Sequence, residues 1–326
     1  MPEEFISVIT PTLRRPEMVR DLLTNLREQT FRPGEIILVD GAPAGEDATE
    51  RVFMEAAPTV PFRCVYVRRG GGTAIQRNVG IDRASGSFIA FIDDDIRLEP
   101  DFFERMIEAY RRDAGKALGG IAGYITNQYL DPGKSTRWKW YRRLGLFQTY
   151  EPGRYDYKTG YPINRYLQPP HATLKPIDFM GAGCAVWRRE VLDSGLRFSE
   201  FFKDYGILED AHFALRAGRK WKLGELGTAH CIHLRCGISK PDSRRLARKT
   251  ALNYRYVFVD LVPRRTWQQE FRFWRVQAVD LVRILAYAVR RLDKDSLWAA
   301  VGKVEGILGA ARIRVPRAEA VAASAR

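Results

Sequence analysis

The sequence predicts an α/β fold: a mixed, mainly parallel sheet flanked by helices, with a helical C-terminal extension. Three observations predict it. Short runs of β-branched and aromatic residues alternate with segments of helical period over residues 5–125, the pattern of right-handed βαβ units. Several of these runs stop abruptly in an acid or a glycine, as strands do where they leave a parallel sheet for a ligand crevice. The net charge of +14 is also unevenly placed, since residues 235–326 hold 20 Lys/Arg against 8 Asp/Glu and the first 234 are close to neutral.

The elements follow in order. Phe5 to Thr12 is a short strand that Pro11 keeps from continuing, and Glu17 to Thr30 has Met18, Leu22, Leu23 and Leu26 at helical spacing. Pro33-Gly34 breaks the chain before a second buried strand, Glu35 to Gly41, which ends in Asp40. A helix is predicted over 46–57, a third strand over 62–67, and a helix from Thr73 through Ile81 after the triplet Gly70-Gly71-Gly72. That triplet lacks the dinucleotide-binding glycine spacing and reads equally as a flexible loop or a phosphate contact. The fourth strand, Ser87 to Ile92, ends in Asp93-Asp94-Asp95.

Three adjacent carboxylates cannot stay in an apolar core. At the carboxyl end of a strand they suit Mg²⁺ or Mn²⁺ shared with a diphosphate, because such ions keep waters and take phosphate oxygens. The competing reading is a solvated acidic turn opening the next helix, where Glu99-Pro100-Asp101 follows. Asp40 lies at another carboxyl end and can face the same crevice, which favours the functional reading.

Val8 to Thr12, Ile37 to Gly41, Gln76 to Gly80, Ala90 to Asp95 and Leu208-Glu209-Asp210 together resemble the ordered motifs of inverting family 2 glycosyltransferases. The resemblance covers roughly residues 5–235 and implies the GT-A fold, which is Rossmann-like. It implies a catalytic domain over 1–235, with 1–112 as the nucleotide-binding half and 113–235 as the acceptor half. A basic, mainly helical region with a disordered end is expected over 236–326.

Past a helix over 102–112 and a strand over 117–125, regular patterning stops. Residues 126–175 read as a long loop rich in Tyr, Trp, Arg, Pro and Gly. Its aromatics and arginines suit sugar faces and anions, or equally a loop packed over the sheet. Asp178 to Arg189 reads as a glycine-bearing turn before a strand, with a helix starting at Glu190; the resemblance puts Gly181 and Gly183 beside the donor sugar. Leu208 to Gly218 is a helix opening with two acids, which the helix dipole alone explains. The family match raises Asp210 to general base, with Glu209 orienting it or holding the acceptor.

His230 and His233 sit three apart in a strand-like stretch and should point to opposite faces. The resemblance makes His233 the expected metal ligand, with Asp95 and Asp93; His230 is the alternative, and a satisfied core histidine is the competing reading for either. The resemblance also implies donor contacts from Pro11, Thr12, Asp40, Arg77, Asn78, Asp93 and Asp94, with Asp40 at the nucleobase and Arg77 near it. The implied donor is a UDP, GDP or dTDP sugar, the acceptor a glycan or lipid-linked hydroxyl, and the setting envelope polysaccharide or glycolipid synthesis.

Residues 266–292 form one helical stripe through Trp267, Phe271, Trp274, Leu281, Val289 and Leu292, flanked by Arg272, Arg275, Arg283 and Arg290. It reads either as a helix on an anionic membrane surface or as one packed on the domain or on a second copy in a homo-oligomer. No run of about 18 uncharged apolar residues is present to span a bilayer. The acidic start Met1-Pro2-Glu3-Glu4 is not that of a targeting peptide, and four irregularly spaced cysteines are not a disulfide framework. The expected compartment is cytoplasmic, with peripheral attachment to the inner face of the membrane through the tail. The rival readings are a sugar nucleotidyltransferase, against which the missing glycine-rich N-terminal loop argues, and a basic nucleic-acid- or membrane-binding protein without catalysis. Nucleic acid is the disfavoured partner, because it leaves the acids of the near-neutral body unexplained.

Overall fold

The computed structural model describes residues 4–203, 206–234 and 242–313. The chain begins β1 (Ile6–Thr12), α1 (Pro16–Arg27), β2 (Glu35–Asp40), α2 (Ala48–Ala56), β3 (Arg63–Arg68), α3 (Thr73–Ile81) and β4 (Phe88–Ile92). It continues β5 (Ile96–Leu98), α4 (Phe102–Arg112), β6 (Leu118–Ile125), α5 (Thr136–Arg143), β7 (Tyr155–Asp156), β8 (Tyr161–Pro162) and β9 (Leu174–Ile177). Then follow β10 (Cys184–Arg188), α6 (Arg189–Asp193), α7 (Glu209–Ala217), β11 (Lys222–His233), α8 (Ser243–Leu261), α9 (Trp267–Arg291) and α10 (Lys294–Ala310).

These elements form two compact units. The first comprises residues 1–134, 151–154 and 164–236, the second 135–150, 155–163 and 237–326. The expected boundary at 235/236 and the tail beyond Arg314 lie outside the described residues.

The first unit is built on one sheet in the order β3-β2-β1-β4-β10-β6-β11-β5, with β9 also on β11. β1 is parallel to β2 and β4, and β2 to β3. Every residue of β1, β2 and β4 is buried, which is why their sequences are continuous apolar runs rather than alternating ones. Strand β10 is antiparallel to β4, with Cys184 opposite Ile92. Its amino end therefore meets the carboxyl end of β4, and the glycine turn before β10 is brought to the acids after β4. Helices α1 and α4 cover the sheet with Leu22, Leu23, Leu26, Phe102, Phe103, Met106 and Ile107. The triplet glycines are required by the backbone, since Gly71 and Gly72 adopt φ of 109° and 99° just before α3.

The stretch 126–175 is not one long loop. It contains α5, the β7–β8 hairpin and β9, and its parts fall in both units. Ser135 caps α5 by accepting from the Trp138 amide, and the helix buries only Trp138 and Tyr141. Two buried positions in eight are too few to register as a periodic pattern.

In the second unit α8, α9 and α10 pack with α5 and the hairpin. Phe258 of α8 stacks on Phe273 of α9 at 5.1 Å. A buried polar group ties α9 to α10 and α5: Lys303 Nζ donates to Gln277 at 2.6 Å and pairs with Asp280 at 3.2 Å, while Tyr141 donates to Asp280 at 3.0 Å. Helix α10 meets α8 through glycines. A Cβ at Gly302 would lie 2.0 Å from the Arg244 carbonyl oxygen, and one at Gly306 2.6 Å from that of Arg248. Gly302→Val should therefore lower the unfolding free energy by about 2 kcal/mol or more, since overpacking against backbone cannot relax cheaply; a denaturant melt matching the parent's would refute the close seam.

Candidate functional site

The site lies where β1, β2 and β4 end, all within the first unit. β4 releases Asp93, whose amide donates to the Gly183 carbonyl at 3.0 Å. Arg77 of α3 is only 3% exposed. It donates to Asp93 Oδ1 at 2.9 Å and to Glu209 Oε1 at 3.2 Å, with its guanidinium over the Phe198 ring. Glu209 also accepts from Thr73 Oγ1 at 3.1 Å. Two carboxylates from distant segments are thus held by one buried fork.

Asp210 stands next to them, partly buried, accepting from the Ala182 amide at 3.3 Å and from its own helix at Ala211. Loss of solvent and the neighbouring Glu209 carboxylate push its pKa up to about 7, with Arg77 pulling the other way. The turn 181–183 fits between the acids because it has no side chains at two points. A Cβ on Gly183 would lie 2.5 Å from Asp93 Oδ2, and one on Gly181 3.3 Å from Asp210 Oδ2. Helix α7 is entered through Leu208 at φ 70°, a left-handed conformation that costs a non-glycine residue about 1 kcal/mol or more.

Asp94 and Asp95 turn the other way. Thr12 Oγ1 donates to Asp94 at 2.6 Å, and Arg15 reaches Asp94 Oδ1 at 2.7 Å and Asp95 Oδ2 at 3.0 Å. Burial pushes the Asp94 carboxyl up to about 6 against the pull of Thr12 and Arg15. β11 pairs with β5 so that His233 lies opposite Ile96, and the Leu234 amide donates to the Asp95 carbonyl. This register sets His233 Nε2 3.4 Å from Asp95 Oδ1. The other imidazole nitrogen, Nδ1, is buried without a hydrogen-bond partner. His230 points elsewhere, to Glu99 at 3.3 Å, as the three-residue spacing requires.

The expected metal trio is not assembled in this arrangement. Asp93 is committed to Arg77, and among the described residues no group of three or more His, Cys, Asp or Glu is gathered to hold an ion. Asp95 and His233 offer one hard oxygen and one nitrogen, a partial donor set that fits Mg²⁺ or Mn²⁺ when the remaining positions come from phosphate and water.

Other expected donor contacts are placed differently. Asp40 is fully enclosed, accepting from the Ala42 amide and the Tyr66 hydroxyl, each at 2.9 Å, so it shapes the turn after β2 and has no free surface for a base. Asn78 exchanges two hydrogen bonds with the Phe198 backbone, at 2.9 and 2.8 Å. Pro11 is buried in β1 beside Val39. Two residues were not anticipated: Arg15, and Gln76, whose amide donates to the Thr12 and Val39 carbonyls at 3.0 and 2.7 Å and joins the ends of β1 and β2. The sequence signal for Arg15 was its position just beyond a strand end in a crevice of acids.

The Arg77 fork makes a thermodynamic prediction. Arg77→Ala leaves Asp93 and Glu209 crowded without a cation and should cost about 3 kcal/mol or more in urea unfolding. Arg77→Lys, which keeps the charge without the fork, should recover part of it. A loss below about 1 kcal/mol, the size of an exposed ion pair, would show that the fork does not hold the site.

The sequence profile described as Glycosyl transferase family 2 matches residues 7–196. An uncharacterized glycosyltransferase of Bacillus subtilis, EpsJ, is 32% identical over 226 residues, which is 66% of this chain and 56% of that protein. The succinoglycan biosynthesis protein ExoM of Rhizobium meliloti is 28% identical over 180 residues, 53% of this chain and 55% of that one. The chain spans between about one seventh and just over half the length of curated relatives such as these. In fold it is similar to a mannosyltransferase from Pyrobaculum calidifontis solved with GDP-Man and Mn²⁺, with a TM-score of 0.53, 15% identity, and coverage of 99% of this chain and 80% of that one. With the profile running through the end of β2 at Asp40, through Arg77 of α3 and Asp93–Asp95 after β4, and on past the turn at Gly183, the chain belongs to glycosyl transferase family 2.

Proposed function

We propose that this chain is a metal-dependent, inverting glycosyltransferase that moves a sugar from a nucleoside-diphosphate donor to an acceptor hydroxyl in polysaccharide synthesis. The observation that carries the reading is the joining of Asp93, Glu209 and Asp210 around one buried arginine, beside the Asp95–His233 pair. The setting is suggested by ExoM, whose name assigns it to succinoglycan biosynthesis.

Asp95 and His233 would hold Mn²⁺ or Mg²⁺, which supplies positive charge to the departing diphosphate. The protein's own part is positioning and proton transfer. Asp210 takes the proton of the acceptor hydroxyl, whose oxygen forms a bond to C1 on the face opposite the diphosphate. The bond from C1 to the diphosphate oxygen breaks, and its electron pair leaves with the nucleotide. A carboxyl poised near neutrality suits a general base. Glu209 fixes Arg77 and Thr73 and so sets the angle at which α7 presents Asp210. The glycines of 181–183 leave room for the sugar between Asp93 and Asp210. We assign the base-binding end to the turn after β2, whose shape Asp40 holds from within.

Asp210→Asn should lower kcat by about 10²- to 10⁴-fold, the usual worth of a general base, while calorimetry finds nucleotide affinity largely intact. In the parent, transfer should rise as pH increases through about 7, where Asp210 gives up its proton. The sign for stability is the reverse. The folded chain holds that proton more tightly than the unfolded one, so Asp210 costs stability as pH rises from the ordinary carboxylate range through about 7. The Asn variant should then melt higher than the parent above that pH. Normal turnover by the variant would remove Asp210 from the role.

The donor is tested by titrating UDP, GDP and dTDP in Mn²⁺ and again with a chelator. One nucleotide should bind tightly and lose affinity on chelation, and Asp95→Ala should abolish the metal dependence. Nucleotide binding by that variant that still falls on chelation as the parent's does would sink the ligand assignment.

A further inference from the structure

The apolar stripe along 266–292 does not face the core of the second unit. Helix α9 buries Phe273, Val276, Gln277 and Ala288. Trp267, Phe271, Val282 and Val289 are instead 74%, 62%, 64% and 74% exposed. At about 100° per residue these four fall within a sector roughly 60° wide. Helix α10 shows the same division, burying Ala300, Gly302 and Gly306 against its neighbours and leaving Trp298 and Leu308 53% and 65% exposed. Exposed apolar stripes of this kind on neighbouring helices of a folded unit mark an interaction site.

Its rim is basic. Arg272 and Arg290 lie along one flank of the α9 stripe, and exposed Arg290, Arg291 and Lys294 gather where α9 passes into α10. The acids of these helices are largely engaged elsewhere. Glu270 is held by Arg255 and Arg265, Asp280 by Lys303 and Arg283, and Glu305 by Arg244. None of the described helices is long and apolar enough to cross a membrane.

We propose that the α9–α10 face docks on an anionic lipid surface, lying in the interface rather than spanning it. The apolar residues enter the acyl boundary, Trp267 and Trp298 sit at headgroup depth where indole rings are favoured, and the arginines meet lipid phosphates. A second copy is the weaker occupant, because a self-complementary contact would bring two basic rims together with Asp295 as the one exposed acid of α9 and α10 to face them.

The test is sedimentation of the full chain with vesicles of phosphatidylcholine, with and without about one-third phosphatidylglycerol. Binding should require the anionic lipid and weaken with salt. Arg290→Gln combined with Arg291→Gln should lower partitioning about tenfold or more, and Val289→Asp combined with Trp298→Ser should abolish it. Circular dichroism would establish that both variants keep their helices, as exposed substitutions allow. Failure to sediment with anionic vesicles would overturn the proposal. So would binding indifferent to both variants, or a dimer in light scattering that Val289→Asp dissolves while the parent ignores vesicles.

Discussion

A single buried guanidinium decides the form of the candidate crevice. Glu209 and Asp93 are both drawn to Arg77, and without it their carboxylates would repel each other and the nearby Asp210. Ion pairs at this depth are costly to desolvate and rarely stabilise a fold as much as well-packed apolar residues would. What this one contributes is a fixed geometry: it joins the end of β4 to the start of α7 and to α3. An aromatic wall of Phe91, Phe198 and Phe213 packs behind it, with the last two stacked at 4.2 Å. Since Glu209 spends its charge on Arg77, Asp210 is the acid left with a raised affinity for a proton.

The second unit has a comparable arrangement with a different result. Lys303, Gln277 and Asp280 are satisfied by one another and by Arg283 and Tyr141, away from solvent. Burial lowers the lysine's proton affinity while its neighbours lower that of the aspartate. A satisfied polar group of this kind specifies which faces of α5, α9 and α10 may meet, because any rotation of α9 would leave a charge unpaired. It thereby fixes which face of α9 is left outward.

Much of the first unit could be read from the chain. Continuous apolar runs announced β1, β2 and β4, and the abrupt acids after them marked the carboxyl ends; Thr73 to Ile81 is helical with the expected limits. Sequence could not show how those acids divide their attention. Asp93, Asp94 and Asp95 are equivalent in a string of letters, yet β-strand geometry and the turn after β4 send the first to Arg77 and the other two to Arg15. Asp40 looked available because a strand end is usually open, but the Tyr66 hydroxyl closes over it from the neighbouring strand. Gln76 opens one of the motifs and Arg15 follows a strand end, but their roles do not show in the letters, because their partners are more than sixty residues away or are backbone carbonyls. The spacing of His230 and His233 did carry through, since alternation along a strand is a property of the backbone alone.

The glycine seam between α8 and α10 inverts the usual division of labour in an amphipathic helix. Gly302 and Gly306 bring α10 to α8 by main chain, so the face toward α8 contributes almost no side-chain bulk. Its leucines, valines and tryptophan are accordingly not needed to hold it in place, and many of them point outward. Such a helix can change the chemistry of its outer surface, residue by residue, without loosening its anchorage. Folding is written on one side of these seventeen residues, and selection can act on the other while leaving it untouched.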